Sequence, residues 1–147
     1  MSVSRRIASS RLWAGVRAAS LPLGVFALIG TGCASAPLKL ANQPDPAAVV
    51  ELHFHSFEPK SVTIHTGEAV LWRNSSPIWH TVTDDPKLAE QAEDAALPPG
   101  ADPFDSGRVD AGTAYEHVFT VPGTYRYFCK PHELKGMVAE GVVQPMK

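Results

Sequence analysis

The chain has 147 residues, of which 44% are hydrophobic and 19% charged, and its formal net charge is -2. This length suits one domain with one core, and the composition excludes a chain that is disordered throughout. The charge is unevenly distributed. Residues 1–32 contain four arginines and no acid, whereas residues 33–147 carry nine basic and fifteen acidic side chains, a net charge of -6. We therefore expect two segments with different roles.

Residues 1–32 are predicted to be an export signal. Their basic start leads into an apolar stretch at 21–30, which has the length of a signal-peptide core. A transmembrane helix needs about 20 apolar residues, so a single-pass anchor is the less favoured alternative. The pair Arg5-Arg6 also resembles the start of a twin-arginine signal, although the residues after it lack that motif's Phe-Leu.

Cys33 follows two small residues, Thr31 and Gly32, in a pattern that resembles the bacterial lipobox. Gly30 departs from that pattern, which usually has Leu there. The resemblance implies that Cys33 is the site of lipid attachment. Residues 33–48 contain three prolines and no apolar period, so we predict a tether. The protein would then be exported to the periplasm or cell envelope and would reach the membrane only through this anchor.

Residues 49–147 are predicted to form one all-β domain. Apolar and polar residues alternate there in short runs separated by Gly and Pro turns. The runs begin near Val50, Val62, Val70, Tyr115, Tyr125 and Val138. This pattern predicts a small β-sandwich or barrel, and we favour the sandwich. The sequence has no βαβ rhythm, repeat or nucleotide-binding loop, and we expect no nucleic-acid partner.

One segment departs from this alternation. We predict a short helix at 86–97, because Asp85 is placed to cap it and Pro86 suits its first position. The surrounding residues 84–105, the acidic excursion, contain seven acids and one Lys, a net charge of -6. This excursion would either attract a basic partner or be a solvated insertion.

The densest group of chemically active side chains lies at 127–137. Cys129, His132 and Met137 follow the pattern C-x2-H-x4-M, and His80 stands far upstream. Two imidazoles, one thiolate and a weak axial thioether are the ligand set of a blue-copper electron-transfer site. Zinc is the rival metal, but it would prefer a fourth Cys, His or carboxylate to Met. The remaining histidines are interpreted as surface or otherwise satisfied side chains: His53, His55, His65 and His117.

Three patterns resemble the cupredoxins, and within them the plastocyanin-like and pseudoazurin-like small blue (type 1) copper proteins. They are Gly67-x-x-Val70-x-Trp72-x-Asn74, Gly123-Thr124-Tyr125-x-Tyr127-x-Cys129 and Cys129-x-Pro131-His132 with Met137. The resemblance covers roughly residues 50–144 and implies a Greek-key β-sandwich with one copper ion per chain. The implied ligands are His80, Cys129 and His132 in the equatorial plane and Met137 on the axis.

Two further residues are expected to influence the site. Pro131 has no N–H and cannot donate to the Cys129 sulfur, which leaves the Thr81 amide as the obvious donor. Thr81 stands where plastocyanins and azurins commonly carry Asn. Its hydroxyl could tie the two ligand segments together, as that side chain does.

These features predict a monomeric one-electron carrier, not an enzyme, with copper cycling between Cu(II) and Cu(I). A redox partner, either a cytochrome or a copper or haem enzyme, would dock near the edge of His132. The predicted apolar rim comprises Pro77, Ile78, Trp79, Pro131, Leu134 and Met137. A copper oxidase or reductase would need a second centre with paired histidines, which the sequence lacks. Copper delivery or sequestration is the alternative function, although such proteins tend to use open Met-rich or Cys-rich sites.

Overall fold

The computed structural model describes residues 45–146. The predicted export signal at 1–32, the lipid-attachment residue Cys33 and most of the tether at 33–48 lie outside these residues. Within 45–146, no helix has both the length and the apolar character needed to cross a membrane.

The described residues form seven strands in two sheets. The first sheet has the order β2 (Phe57–Glu58), β1 (Ala48–Leu52), β4 (Ala69–Asn74) and β5 (Ala114–Val118). The second has the order β3 (Ser61–His65), β7 (Val138–Gln144) and β6 (Gly123–Phe128). β1 is parallel to β4 and β3 to β7, and the other neighbours are antiparallel. The predicted cupredoxin-like β-sandwich is confirmed.

The period-two pattern explains which side chains enter the core. Val50 and Leu52 of β1 and Tyr125 and Tyr127 of β6 are almost completely buried, whereas Arg126 between the two tyrosines is exposed. Successive strand side chains point to opposite faces, so each strand contributes every second residue to the core.

Trp72 of β4 is fully buried at the centre of an aromatic cluster. Its ring centroid lies 5.3–6.2 Å from those of Phe104, Tyr115, Phe119 and Tyr127. Such rings bury large apolar areas in favourable edge-on or tilted arrangements. Because Phe104 belongs to the acidic excursion, the end of that excursion is tied to the core.

The helix predicted at 86–97 is reduced to one 3-10 turn, Ala92–Asp94. Two consecutive N–H groups just before this turn donate to the Glu133 carboxylate, and Ala96 forms an isolated β-bridge with Arg126. These bonds to the sandwich use backbone groups that an α-helix would have paired internally. Tertiary contacts therefore override the local helix signals.

A second 3-10 helix, Lys130–Lys135, fills the connection between β6 and β7, and the alternation pattern does not predict it. Pro131 lies in its first turn, where a missing N–H has little cost. Gly136 ends it with a left-handed φ of 78°, a conformation that strains residues with a Cβ. The C-x2-H-x4-M segment is therefore a compact turn.

The fold brings the predicted ligands to one end of the sandwich. Cys129 directly follows β6, and Met137 directly precedes β7. His80 lies beyond β4 in an extended stretch, where its backbone exchanges two hydrogen bonds with Val109, of 3.0 and 2.9 Å. Strands β6 and β7 thus hold the turn from Cys129 to Met137, and an isolated β-bridge to Val109 holds His80.

Candidate metal centre

Three of the predicted ligands converge on one point. The donor atoms of His80, Cys129 and His132 all lie within 4.8 Å of one another. The Cys129 sulfur is 3.5 Å from Nδ1 of His80 and 3.4 Å from Nδ1 of His132. Both Nδ1 atoms therefore face the sulfur, and a single ion between them could contact all three donors.

Met137 lies at the far end of the same turn and is completely buried. Its carbonyl accepts a hydrogen bond from the Cys129 N–H at 3.1 Å, and its N–H donates to the His132 carbonyl at 3.2 Å. The turn thus closes on itself beside the sulfur. The prediction that Met137 borders the exposed apolar rim is wrong, because its side chain belongs to the interior.

Ser76, which was not predicted from the sequence, orients the His80 ring. Its Oγ lies 2.8 Å from Nε2 of His80 and 2.8 Å from Oδ1 of Asn74. A hydroxyl has one proton, so when Ser76 donates to Asn74 it accepts the Nε2–H of His80. Nδ1 then keeps its lone pair for a metal ion. The polar residues shortly before His80 were the available signal.

Thr81 contacts the sulfur and links the two ligand segments. Its N–H lies 3.4 Å from the Cys129 sulfur, and its hydroxyl oxygen accepts a hydrogen bond from the Lys130 N–H at 2.9 Å. The second bond joins the His80 segment to the turn that carries the other candidate ligands. Pro131 follows Lys130 and offers the sulfur no N–H.

The surroundings keep both imidazoles neutral. Burial, with contributions from His132 and His55, lowers the pKa of His80 to about 4. Burial, His55 and Lys135 lower the pKa of His132. Burial raises the pKa of the Cys129 thiol, and hydrogen bonds from Thr81 partly oppose this rise. At neutral pH the imidazoles therefore offer lone pairs, and metal binding would displace the thiol proton.

The family that this chain matches is consistent with the donor set of the site. The family of copper binding proteins that includes plastocyanin and azurin matches residues 48–144. The chain belongs to this family. The predicted resemblance and the predicted cofactor, copper, are confirmed. The soft sulfur donors and two imidazoles found together at one end of the sandwich fit that metal.

Several members of the plastocyanin/azurin family are similar to this chain. The chloroplast plastocyanin of Chlamydomonas reinhardtii is 34% identical over 155 aligned positions, covering 98% of this chain and 100% of that protein. The chloroplast plastocyanin of Tetradesmus obliquus is 36% identical over 88 residues, which are 60% of this chain and only 58% of that protein. The solved structure of amicyanin from Paracoccus versutus has a TM-score of 0.53 at 29% identity, covering 71% of this chain and 87% of that chain.

His55 is exposed, as predicted for a surface histidine, but it also contacts a candidate copper ligand. Its ring lies edge-on to that of His132, with centroids 5.1 Å apart. The alternation pattern gives no signal for a contact between residues so far apart in the chain. Of the other histidines, His53 is exposed, His65 lies beside Glu68 and His117 packs on Phe104.

Of the four candidate copper ligands, His132 is the one whose side chain is partly exposed. His80, Cys129 and Met137 are 0% exposed, whereas His132 is half-buried. A cleft of about 550 Å³ lies beside it. Its lining includes Pro77, Ile78, Trp79 and Pro131 from the predicted rim, together with Arg108 and Asp110.

Arg108 adds a charge to this cleft that the predicted rim did not include. Its guanidinium lies 5.2 Å from the Trp79 ring centroid, and its Nε is 2.6 Å from a carboxylate oxygen of Asp110. The positive charge is therefore paired with an acid and placed over an aromatic face. The surface beside His132 remains largely apolar.

Part of the acidic excursion is built into the fold. Asp84 is completely buried, and Asp105 bonds to the Lys130 ammonium and accepts a hydrogen bond from Thr83 at 2.9 Å. These contacts place both ends of the excursion next to the segments that carry the candidate ligands. The acidic excursion is therefore not a wholly solvated insertion.

Proposed function

We propose that this protein is a one-electron carrier whose copper ion is held by His80, Cys129, His132 and Met137. The observation that carries the proposal is the meeting of a buried thiol with two imidazole Nδ1 atoms in a member of a copper-binding family. Thiolate and imidazole ligands accommodate both oxidation states of copper. When bound, copper supplies the Cu(II)/Cu(I) couple.

The role proposed for the chain is to keep the ligands in place while the charge of the site changes. Ser76 holds the His80 ring, the Thr81 hydroxyl ties the two ligand segments together, and β6 and β7 flank the turn. Ligands fixed by hydrogen bonds and packing need little rearrangement when an electron arrives or leaves. This property suits a carrier better than an enzyme.

We propose that the redox partner, a cytochrome or a copper or haem enzyme, docks at the edge of His132. This is the candidate ligand with an exposed portion, and Trp79 beside it is 40% exposed. Exposed apolar patches of this kind are typical of docking surfaces. The exposed acids of the neighbouring excursion would favour a partner with a basic surface.

Copper delivery or sequestration is the alternative, and copper retention during redox cycling separates it from electron transfer. The full chain loaded with one equivalent of copper is titrated with a reductant and then an oxidant in the presence of a Cu(I) chelator. We expect one electron per copper, full reversibility and retained metal. Rapid loss of Cu(I) from the folded protein to the chelator would contradict the carrier and favour delivery.

We also propose that the carrier is exported as a monomer and anchored through a lipid on Cys33. The support is the basic and apolar start of the chain and the lipobox-like Thr31-Gly32-Cys33. Residues 1–32 would be removed, 33–48 would act as the tether, and 49–147 would be the copper domain. Metabolic labelling with a fatty acid should label the protein and fail in Cys33→Ala. Labelling that persists in this variant would rule out Cys33.

A further inference from the structure

Glu133 directly follows His132 in the turn, yet its side chain is only 1% exposed. Its two carboxylate oxygens accept hydrogen bonds from consecutive backbone N–H groups, from Glu90 at 3.0 Å and from Gln91 at 2.8 Å. Burying a carboxylate is costly unless hydrogen bonds or an opposite charge compensate it. Among the residues that the structure describes, Glu133 has no cationic partner, so these two N–H groups supply its compensation.

This carboxylate is one of the contacts that hold the acidic excursion in position, and it acts on residues 90 and 91. Between residues 86 and 95, the hydrogen bonds that leave the excursion are the two to Glu133 and one from the Arg126 guanidinium to the Glu93 carbonyl, of 2.9 Å. Just beyond them, Ala96 exchanges two backbone hydrogen bonds with Arg126, of 3.1 and 2.8 Å. At the opposite end of the turn, Lys130 bonds to Asp105 of the same excursion. The ligand-bearing turn is therefore attached to the excursion at two places.

His132 is the candidate ligand that most needs such support, because the other three are completely buried and it is not. Inside the turn, the His132 N–H donates to the Cys129 carbonyl at 2.9 Å. Outside the turn, the side chain of the next residue, Glu133, reaches the excursion. Hydrogen bonds to a charged acceptor are roughly twice as strong as neutral ones. The two bonds from the excursion to Glu133 should therefore hold the turn more strongly than bonds to a neutral side chain would.

We propose that Glu133 is a positioning residue of the copper site: its carboxylate anchors the turn to residues 90 and 91 and so holds His132 in place. This inference rests on the proposed function, because it takes His132 as a copper ligand. The acidic excursion would then support the ligand-bearing turn from one side in addition to carrying charge.

Two variants of the full chain test this anchor. Glu133→Ala removes both acceptors, whereas Glu133→Gln keeps one acceptor oxygen and sets an NH2 group against a backbone donor. Glu93→Ala and Glu93→Gln are matched controls, since they remove an exposed acid from the same excursion. The measurements are the rate of copper transfer to a chelator, the visible spectrum of the Cu(II) form and the thermal unfolding of the metal-free chain.

Groups that orient metal ligands typically contribute about 10–100-fold to metal affinity. We expect Glu133→Ala to release copper about tenfold faster with an altered Cu(II) spectrum, Glu133→Gln to fall between, and both Glu93 variants to match the wild type. Wild-type release and spectrum in Glu133→Ala would overturn the inference, and so would equal changes in the Glu133 and Glu93 variants.

If Glu133→Ala does not fold, Glu133→Gln decides the question. Faster copper release from a folded Glu133→Gln chain supports the anchor, and release at the wild-type rate overturns it. A wild-type chain that forms no thiolate–copper centre at all would overturn the proposed function together with this inference. The two failures are therefore distinguishable.

Discussion

Replacing Cys129 by Ser should abolish both the thiolate-to-copper absorption band and the reversible one-electron couple. A serine hydroxyl is not ionised at neutral pH and is a hard donor, whereas the thiolate is the soft ligand that suits both oxidation states of copper. The thioether of Met137 binds too weakly to replace it. Copper bound to the variant would then be held by imidazoles and water, without intense colour. The measurement is the visible spectrum after one equivalent of Cu(II).

Cys33→Ser is the matched control, because it makes the same substitution at the other cysteine of the chain. This variant should keep the full band and the couple. Colour that survives in Cys129→Ser would contradict the ligand assignment, and so would loss of the band in Cys33→Ser. The metal-free forms of all three proteins should show the same circular dichroism, which separates loss of the site from loss of the fold.

Replacing Asp84 by Asn should stabilise the protein at neutral pH. Asp84 is 0% exposed; one carboxylate oxygen accepts a hydrogen bond from the Phe104 N–H at 2.7 Å, and the other has no partner among the described residues. Burial raises the pKa of this carboxyl group from 3.8 to about 6, with a further rise from Asp85, and the Phe104 N–H opposes the shift. A buried charge of this kind is a cost that the fold carries.

The direction of the pH dependence follows from that raised pKa. The folded state binds the proton more tightly than the unfolded state, so the favourable contribution of Asp84 is present below pH 3.8 and is lost as the pH rises through 6. At pH 7 the ionised carboxylate should cost about 3 kcal/mol, since each pKa unit between 3.8 and 6 corresponds to about 1.4 kcal/mol. Asn keeps an acceptor for the Phe104 N–H and carries no charge at any pH.

Denaturant unfolding of the metal-free full chain at pH 7 and pH 4 checks this prediction. Asp84→Asn should raise the free energy of unfolding by about 1–2 kcal/mol at pH 7, which is less than the cost of the charge because the buried Asn NH2 group replaces the unpartnered oxygen. This advantage should disappear near pH 4, where Asp84 is protonated. The lowered pKa values of His80, His117 and His132 affect variant and wild type alike, so they cancel in the difference. Asp102→Asn, an exposed acid of the same excursion, should change little. An equal effect of Asp84→Asn at both pH values would contradict the assignment.

The strands and the candidate ligands could be predicted because their signals are local. A strand at Tyr125–Tyr127 is visible from its own alternation, since the pleat repeats every second residue. The spacing of Cys129, His132 and Met137 is likewise a local pattern that a single turn between two strands can satisfy. His80 is far from the other three candidate ligands in the chain, so its prediction depended on the chemistry of the ligand set rather than on spacing.

The features that the sequence did not predict depend on contacts between distant segments. The helix signals around Asp85 and Pro86 were sound locally, but the Glu133 carboxylate takes the backbone N–H groups of that segment. The contacts of Ser76 with His80 and of His55 with His132 form only when the fold brings these segments together. Burial of Asp84 was equally hidden, because an acid in an acidic run gives no sign of facing inward.

X-ray absorption at the copper edge, recorded at both ends of the reductive titration, shows which atoms bind copper in each oxidation state. In the proposed site, one copper ion is held by the same four side chains in both states. We expect two nitrogen donors and one close sulfur donor in both Cu(II) and Cu(I) forms, with nearly unchanged distances. Loss of the sulfur or of an imidazole from either form, or a change in the number of close donors between them, would contradict the account.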